Sequence, residues 1–301
     1  MLRSTFLHLP GVGPITEANL WRQGIRDWSE VGAAGTLPGI SPERREKLER
    51  EIAHSERALG GRDVGYFAHR LPASEAWRLY PSFKERVAFL DIETTGLSPY
   101  EGIVTVVTVH GGGATRTFVA DNDLEELPAF LQRYPIYASF NGIFFDIPFL
   151  RARFPGLPES LAHIDLRFVL RRLGYSGGLK RIEQQLGLGS RSGVEGIYGI
   201  DAVRLWESYR RGDTTALERL VRYNRADTVN LEPLLEFAAR ELAGRLVPPR
   251  RVGLGVPEDG RVRSRSVRGP RRARGSMDRP PEARRVGRVP GPSRSTRAKY
   301  R

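Results

Sequence analysis

The sequence predicts an α/β fold, a sheet flanked by helices, with a small all-α module before it and a disordered basic tail after it. Three observations carry that expectation. Between residues 84 and 243, apolar runs of strand length alternate with segments of helical period. The first 55 residues hold short helical patterns punctuated by Gly and Pro. The net charge of +13 falls entirely in residues 248–301, which hold 17 Arg or Lys and 4 Asp or Glu, while the first 247 residues balance at 31 against 31.

The N-terminal module covers residues 1–55. Phe6-Leu-His-Leu-Pro-Gly-Val-Gly-Pro14 precedes the helical pattern Ile15–Trp21, and a looser copy runs from Leu37 to Leu48. Gly11 and Gly13 permit a tight hairpin whose backbone N–H groups, with the following helix N-terminus, can hold a phosphate. Both copies resemble helix-hairpin-helix motifs, which implies nucleic-acid binding without sequence readout. A protein-docking module is the alternative, since no strong basic cluster adjoins the first hairpin. Residues 56–83 read as a connector that Trp77, Tyr80 and Phe83 pack against the next domain.

Strands are expected near 86–93, 102–110, 115–120 and 135–140, with a hairpin turn at Gly111-Gly-Gly113. A helix is expected over Leu124–Arg133 after the capping cluster Asp121-Asn-Asp123. Further helices are expected near 165–173, 178–187, 200–211 and 215–242, the last with Leu217, Leu220, Val221, Val229, Leu234 and Leu235 on its apolar face. The tail, 244–301, is rich in Arg, Pro, Gly and Ser and lacks apolar periodicity, so it cannot bury enough surface to fold. It is either an arm that attracts phosphates or drift in a sequence with 44 Arg and four Lys.

The chemistry is concentrated at Asp91-Ile-Glu-Thr-Thr-Gly96. A strand has a side-chain period of two, so Asp91 and Glu93 share a side while Ile92 faces the core. Two acids aimed at one point are costly unless a cation or proton joins them, and Mg²⁺ or Mn²⁺ suits oxygen-only ligands. Asp146 follows the apolar run 136–140 through Asn141-Gly-Ile-Phe-Phe145. Tyr223 and Asp227 are four apart and share a helix face.

Asp91, Glu93, Asp146 and the Tyr223-x-x-x-Asp227 unit resemble the three exonuclease motifs of the DEDD superfamily. Arg222 stands where the sister subgroup has His, so the likeness is to the Tyr subgroup. The broader likeness is to the YprB-like proteins with a ribonuclease H-like exonuclease domain. It takes in Trp77-Arg-Leu-Tyr80, Asn141-Gly142, His163-Ile-Asp-Leu166 and the last helix, most of residues 1–243. The resemblance implies a ribonuclease H-like mixed sheet at 84–243 and a 3′→5′ exonuclease acting on DNA or RNA, on single-stranded 3′ ends. It also implies two Mg²⁺ or Mn²⁺ ions about 4 Å apart that clamp the attacking and leaving oxygens. Asp91 would bridge them, Glu93 and Asp227 would hold the ion that activates water, and Asp146 the other. Tyr223 would orient the water; a phenol of pKa about 10 is a poor base at neutral pH. A nucleic-acid-binding or recruitment protein with an inactive nuclease-like domain is the alternative.

Several residues keep two readings. Tyr223 is a water-orienting group or a core aromatic. Asn141 makes the turn before Asp146 or contacts the terminal nucleotide. Thr94 is a further candidate substrate contact. Asp165 is a helix N-cap or a neighbour of the metals. Phe144 and Phe145 are core residues, or one stacks on a base. With no Cys, disulfides, zinc thiolates and thiol catalysis are excluded. The five His have no metal-ligand spacing. No apolar run reaches membrane-span length and no signal-peptide core is present, so a cytoplasmic location is the expectation.

Overall fold

The computed structural model describes residues 1–34, 39–194, 196 and 199–247. The tail expectation from 248 onward, and Leu37-Pro38 at the start of the second N-terminal motif, lie outside the described residues.

The chain opens with a 3₁₀ turn, Leu2–Ser4, followed by α1 (Pro14–Arg22), α2 (Trp28–Ala33), α3 (Pro42–Gly60) and α4 (Val64–Ala68). Each start has a local cause. Gly13 and Ser41 are the N-caps of α1 and α3, each followed by Pro at the first helical position. Asp27 and Glu30 form a reciprocal capping box at α2, and the Asp63 carboxylate caps α4. α3 continues past residue 55. A 3₁₀ helix, Ala73–Ser82, buries Trp77, Leu79 and Tyr80 and leads to buried Phe83.

The sheet follows: β1 (Val87–Thr94), β2 (Val104–Gly111) and β3 (Ala114–Val119). Gly112 and Gly113 both have positive φ, 58° and 78°, as the two-residue β2–β3 hairpin requires. A 3₁₀ turn, Leu124–Glu126, enters α5 (Leu127–Leu131), then come β4 (Ile136–Ser139), α6 (Asp146–Arg153), β5 (Ala162–Asp165) and α7 (Leu166–Arg172). α8 (Leu179–Leu186), α9 (Gly199–Arg210), α10 (Thr214–Val229) and α11 (Leu231–Leu246) complete the described chain. The sheet is mixed and five-stranded, in the order β3-β2-β1-β4-β5, antiparallel on the β3 side and parallel on the β5 side.

Three elements differ from the sequence expectation. β5 is a fifth strand; four residues with one buried apolar side chain, Ile164, give too short a pattern to read, and its place comes from parallel pairing with β4. The helix near Leu124–Arg133 is a 3₁₀ turn plus a short α-helix, because the Asp123 carboxylate accepts from Val119 N instead of capping forward. The helix expected over 215–242 is two helices that meet at Asn230. Pro233 explains the break: it has no N–H to give residue 229 and its ring clashes with that carbonyl in a continuous helix.

Alternation in β1 divides the core. Val87 and Phe89 join the 3₁₀ helix, α7, α11 and the N-terminal helices in one cluster. Ala88, Leu90 and Ile92 face α5, α6, α9 and Leu220 of α10 in the other. The N-terminal segment is therefore bound to the sheet by continuous apolar packing. Within it, Arg78 and Glu17, each 2% exposed, form a buried ion pair at 2.9 Å. Among the described residues, no helix is long and apolar enough to cross a membrane.

Candidate active site

β1 is the central strand, and its C-terminal end carries the acids. Asp91 pairs in register with Thr108 and Glu93 with Val106; the ladder then slips between Glu93 and Thr94. Thr94 Oγ1 donates to the Gly96 carbonyl at 2.6 Å, which closes the turn directly after the acids. Thr94 is thus part of the turn. Asp227 arrives from α10, and one carboxylate oxygen each from Asp91, Glu93 and Asp227 lie within 4.8 Å of one another.

Asp146 enters from the β4 side. Asn141, with φ 67°, and Gly142 turn the chain out of β4 toward α6. A Cβ on Gly142 would lie 2.2 Å from Ser139 Oγ and 3.2 Å from the Asp146 carboxyl carbon, so only glycine lets the turn carry Asp146 inward. The turn is pinned by Asp165, whose carboxylate accepts from Asn141 N at 2.8 Å, Ile143 N at 3.3 Å and Arg167 N at 3.0 Å. Asp165 is the N-cap of α7 and the clamp of the Asn141 turn. The Asn141 side-chain oxygen accepts from Arg167 at 2.5 Å.

The electrostatics are those of crowded like charges. Burial, then Asp146, Asp227 and Glu93, hold the Asp91 carboxyl well above the usual range. Burial and Asp227 do the same to Glu93, partly opposed by a hydrogen bond from Asn224. Burial pushes Asp146 up to about 7, with Asp165 adding to it and backbone N–H groups opposing it. Tyr223, 5% exposed, has its hydroxyl driven far up by burial and by Asp227, Glu93 and Asp91, so it stays protonated at any ordinary pH.

The sequence reading missed the polar frame around these acids. Asn224, inside the Tyr-x-x-x-Asp unit, donates from Nδ2 to Asp91 Oδ2 at 2.8 Å, and its own Oδ1 is buried without a partner among the described residues. Arg191 pairs with Asp227 and, through Nε, with Glu183 at 2.5 Å, while its NH2 is buried and unpartnered among the described residues. Glu183 in turn accepts from Asn230 Nδ2 at 3.0 Å, at the break between α10 and α11. Lys180 sits 4.5 Å over the Tyr223 ring. Lys180, Glu183 and Arg191 line a cavity of about 850 Å³ that opens on Tyr223 and Asp227. The signal for Asn224 was available, since a polar residue next to Tyr223 and three before Asp227 lies about one turn from Asp227 and can share its approach to β1. A single Arg in the stretch Gly187–Ser192 gave none. Gly11, with φ 75°, and Gly13 lie outside this cluster, just before α1, where Arg44 donates to the Gly11 carbonyl at 2.6 Å.

All-oxygen donors, convergent and only partly balanced by Arg191, fit a hard divalent cation better than any other group. A model of the RNase_H superfamily, RNase_H_2, matches residues 88–239, the stretch that holds the sheet and all these acids. The chain belongs to the RNase_H superfamily. No curated protein matches the sequence. Among solved structures, this RNase_H superfamily member is similar to the family B DNA polymerase of the hyperthermophilic archaeon Pyrobaculum calidifontis, with TM-score 0.42 and 19% identity over 54% of this chain and 26% of that one. A nuclease in its apo form gives TM-score 0.38 and 20% identity over 52% and 72%. NrnC of Brucella melitensis, bound to pGG, gives 0.34 and 17% over 53% and 76%. The matched part of this chain spans about a quarter of the polymerase and most of the two smaller proteins.

Proposed function

We propose that this protein is a metal-dependent 3′→5′ exonuclease that hydrolyses phosphodiester bonds of DNA or RNA. The observation that carries the reading is the convergence of Asp91, Glu93 and Asp227 within 4.8 Å at the end of the central strand. Asp146 is not one of that trio, but it is buried nearby and its charge helps raise the Asp91 and Glu93 carboxyls. In this reading Asp91, Glu93, Asp146 and Asp227 hold two Mg²⁺ or Mn²⁺ ions. Bound there, the ions supply charge stabilisation for the attacking and leaving oxygens.

The protein's own groups do the rest. The Tyr223 hydroxyl, kept protonated, accepts and donates hydrogen bonds but takes no proton, so its part is to orient the attacking water. Asn224 fixes the rotamer of Asp91 through the 2.8 Å bond. Water attacks phosphorus, the P–O3′ bond breaks, and a proton reaches the departing O3′, releasing a nucleoside 5′-monophosphate. The catalytic domain would be residues 84–243, joined by a connector at 56–83 to the helix-hairpin-helix-like module at 1–55. That module would grip phosphates through the Gly11–Gly13 hairpin, and the tail 244–301 would add non-specific attraction. Asn141 and Thr94 would meet the terminal nucleotide.

The second reading, a recruitment or nucleic-acid-binding protein with an inactive nuclease-like domain, draws on the Arg191–Asp227 ion pair, which occupies one of the proposed ligands. One assay separates them. End-labelled DNA and RNA, each single- and double-stranded, are incubated with Mg²⁺ or Mn²⁺. Stepwise release of mononucleotides from the 3′ end supports the exonuclease. Binding without release by folded protein in both metals supports the second reading.

A further inference from the structure

Beside the turn that carries Asp146 lies a second cavity, of about 550 Å³, that the proposed chemistry does not use. Its walls come from the 3₁₀ helix 73–82, β5 and α7, and include Trp77, Ile143, His163, Phe168, Val169 and Arg171. It is mostly apolar, yet it opens at the surface next to two exposed aromatics. Phe144 is 68% exposed and Phe168 40%, and their rings meet edge-to-face at 6.0 Å. Phe144 is thus a surface residue in the Asn141–Asp146 loop; Phe145 is the one that packs inward, against Phe149.

The charge around these rings has one sign on α7. That helix, Leu-Arg-Phe-Val-Leu-Arg-Arg, has Arg167, Arg171 and Arg172 and no acid. Arg172 is engaged with Glu75 at 3.0 Å, and Arg167 reaches across to Asn141. Arg171 lines the cavity mouth with Phe168. The strip is tied to the candidate active site by covalent and hydrogen-bonded continuity: Asp165 caps α7 and holds Asn141 and Ile143, and five residues beyond Asn141 stands Asp146.

We propose that Phe144 and Phe168, with Arg167 and Arg171, form a binding strip for single-stranded nucleic acid, the bases lying on the rings and the phosphates meeting the guanidinium groups. Charge complementarity selects this occupant. Exposed aromatic faces flanked by guanidinium groups suit an unpaired polyanion whose bases need a stacking partner, and a duplex offers no free base face. The apolar cavity beneath takes a base splayed from the strand. The assignment rests on the exonuclease reading and specifies it: the strand leaving the acid cluster crosses the Asn141 turn toward β5 and α7.

The test is equilibrium binding in EDTA, where no cleavage occurs, of full-length protein to a fluorescein-labelled oligo-dT or oligo-U and to a duplex of the same length. A parallel strand carries 2-aminopurine, whose fluorescence is quenched by stacking. Loss of each ring, in Phe144→Ala and Phe168→Ala, should weaken single-strand binding by about 5- to 100-fold and abolish part of the quench, with duplex binding unchanged. Phe168→Trp should restore both, which separates stacking from folding damage. Arg171→Glu should weaken the single strand and reduce the salt dependence. Equal single-strand affinity in wild type and a folded Phe144→Ala/Phe168→Ala protein would overturn the strip and leave the exonuclease reading standing, with a protein partner as the cavity's occupant. Absence of any nucleic-acid binding by wild type would overturn both.

Discussion

Two regions of this molecule bury carboxylates, and they solve the problem in opposite ways. In the N-terminal core, Glu17 accepts from Phe6 N at 2.7 Å, from Leu7 N at 3.2 Å and from Arg78 through both oxygens. Arg78 is completed by Glu75, which also accepts from Trp77 and pairs with Arg172. Burial still raises the Glu17 carboxyl, with Arg78 and the backbone donors opposing it. At the end of β1 the acids outnumber the cations, Asn224 Oδ1 and Arg191 NH2 are buried without partners among the described residues, and the carboxyls push one another up. A closed network is structure. An open one, negative and short of donors, is a place for a ligand of the opposite charge.

The contrast can be broken at either end, and the largest effect belongs to the open site. Asp91→Asn should abolish nucleotide release while the metal-free protein stays folded and gains stability of roughly 1 kcal/mol, as one of several repelling charges is removed. Product release and denaturant unfolding on the same preparation check both halves. At the closed site the same kind of change works the other way. Arg78→Met leaves a buried carboxylate unpaired and should cost about 3–5 kcal/mol, read from denaturant midpoints.

Arg191→Gln tests the cation that pairs with two acids at the open site. It removes the guanidinium paired with Asp227 and Glu183, so unfolding in EDTA should become easier by about 1–3 kcal/mol. With the competing guanidinium gone, Mn²⁺ should bind more tightly, as isothermal titration would show. Tyr223→Phe removes one hydrogen bond to water and should slow release about tenfold, far short of the loss at Asp91, with Mn²⁺ affinity little changed.

The closed region also predicts a pH slope in the N-terminal core. Burial, with help from Arg70 and Arg78, lowers His8 to about 3. The native state therefore refuses a proton that the unfolded chain takes below about 6.5. The unfolded state binds more protons in that window, so stability is present above about 6.5 and is lost as pH falls toward 3. Removing the titration in His8→Gln should flatten the plot of unfolding free energy against pH by about 1.4 kcal/mol per unit between those limits.

Much of this was written locally in the sequence. The period of two placed Asp91 and Glu93 together, the Gly-Gly turn placed the β2–β3 hairpin, and the four-residue spacing put Tyr223 and Asp227 on one face. What stayed hidden depends on contacts distant in sequence. β5 exists because β4 pairs with it. Arg191 matters because Glu183 and Asn230 hold it against Asp227, 36 residues away. Phe144 and Phe145 are neighbours of identical type, and only the turn at Asn141–Gly142 decides that one is exposed and the other packed. The Pro233 break could have been read: proline so deep in a helical pattern forces an interruption about one turn earlier.

Direct binding of Mn²⁺, followed by electron paramagnetic resonance on wild type and Asp91→Asn protein, addresses the open site most squarely. Wild type should take up the ion, and Asp91→Asn, folded and at least as stable without metal, should not. Equal binding by the two proteins, or none by either, would contradict the claim that the acids at the end of β1 form a divalent-cation site.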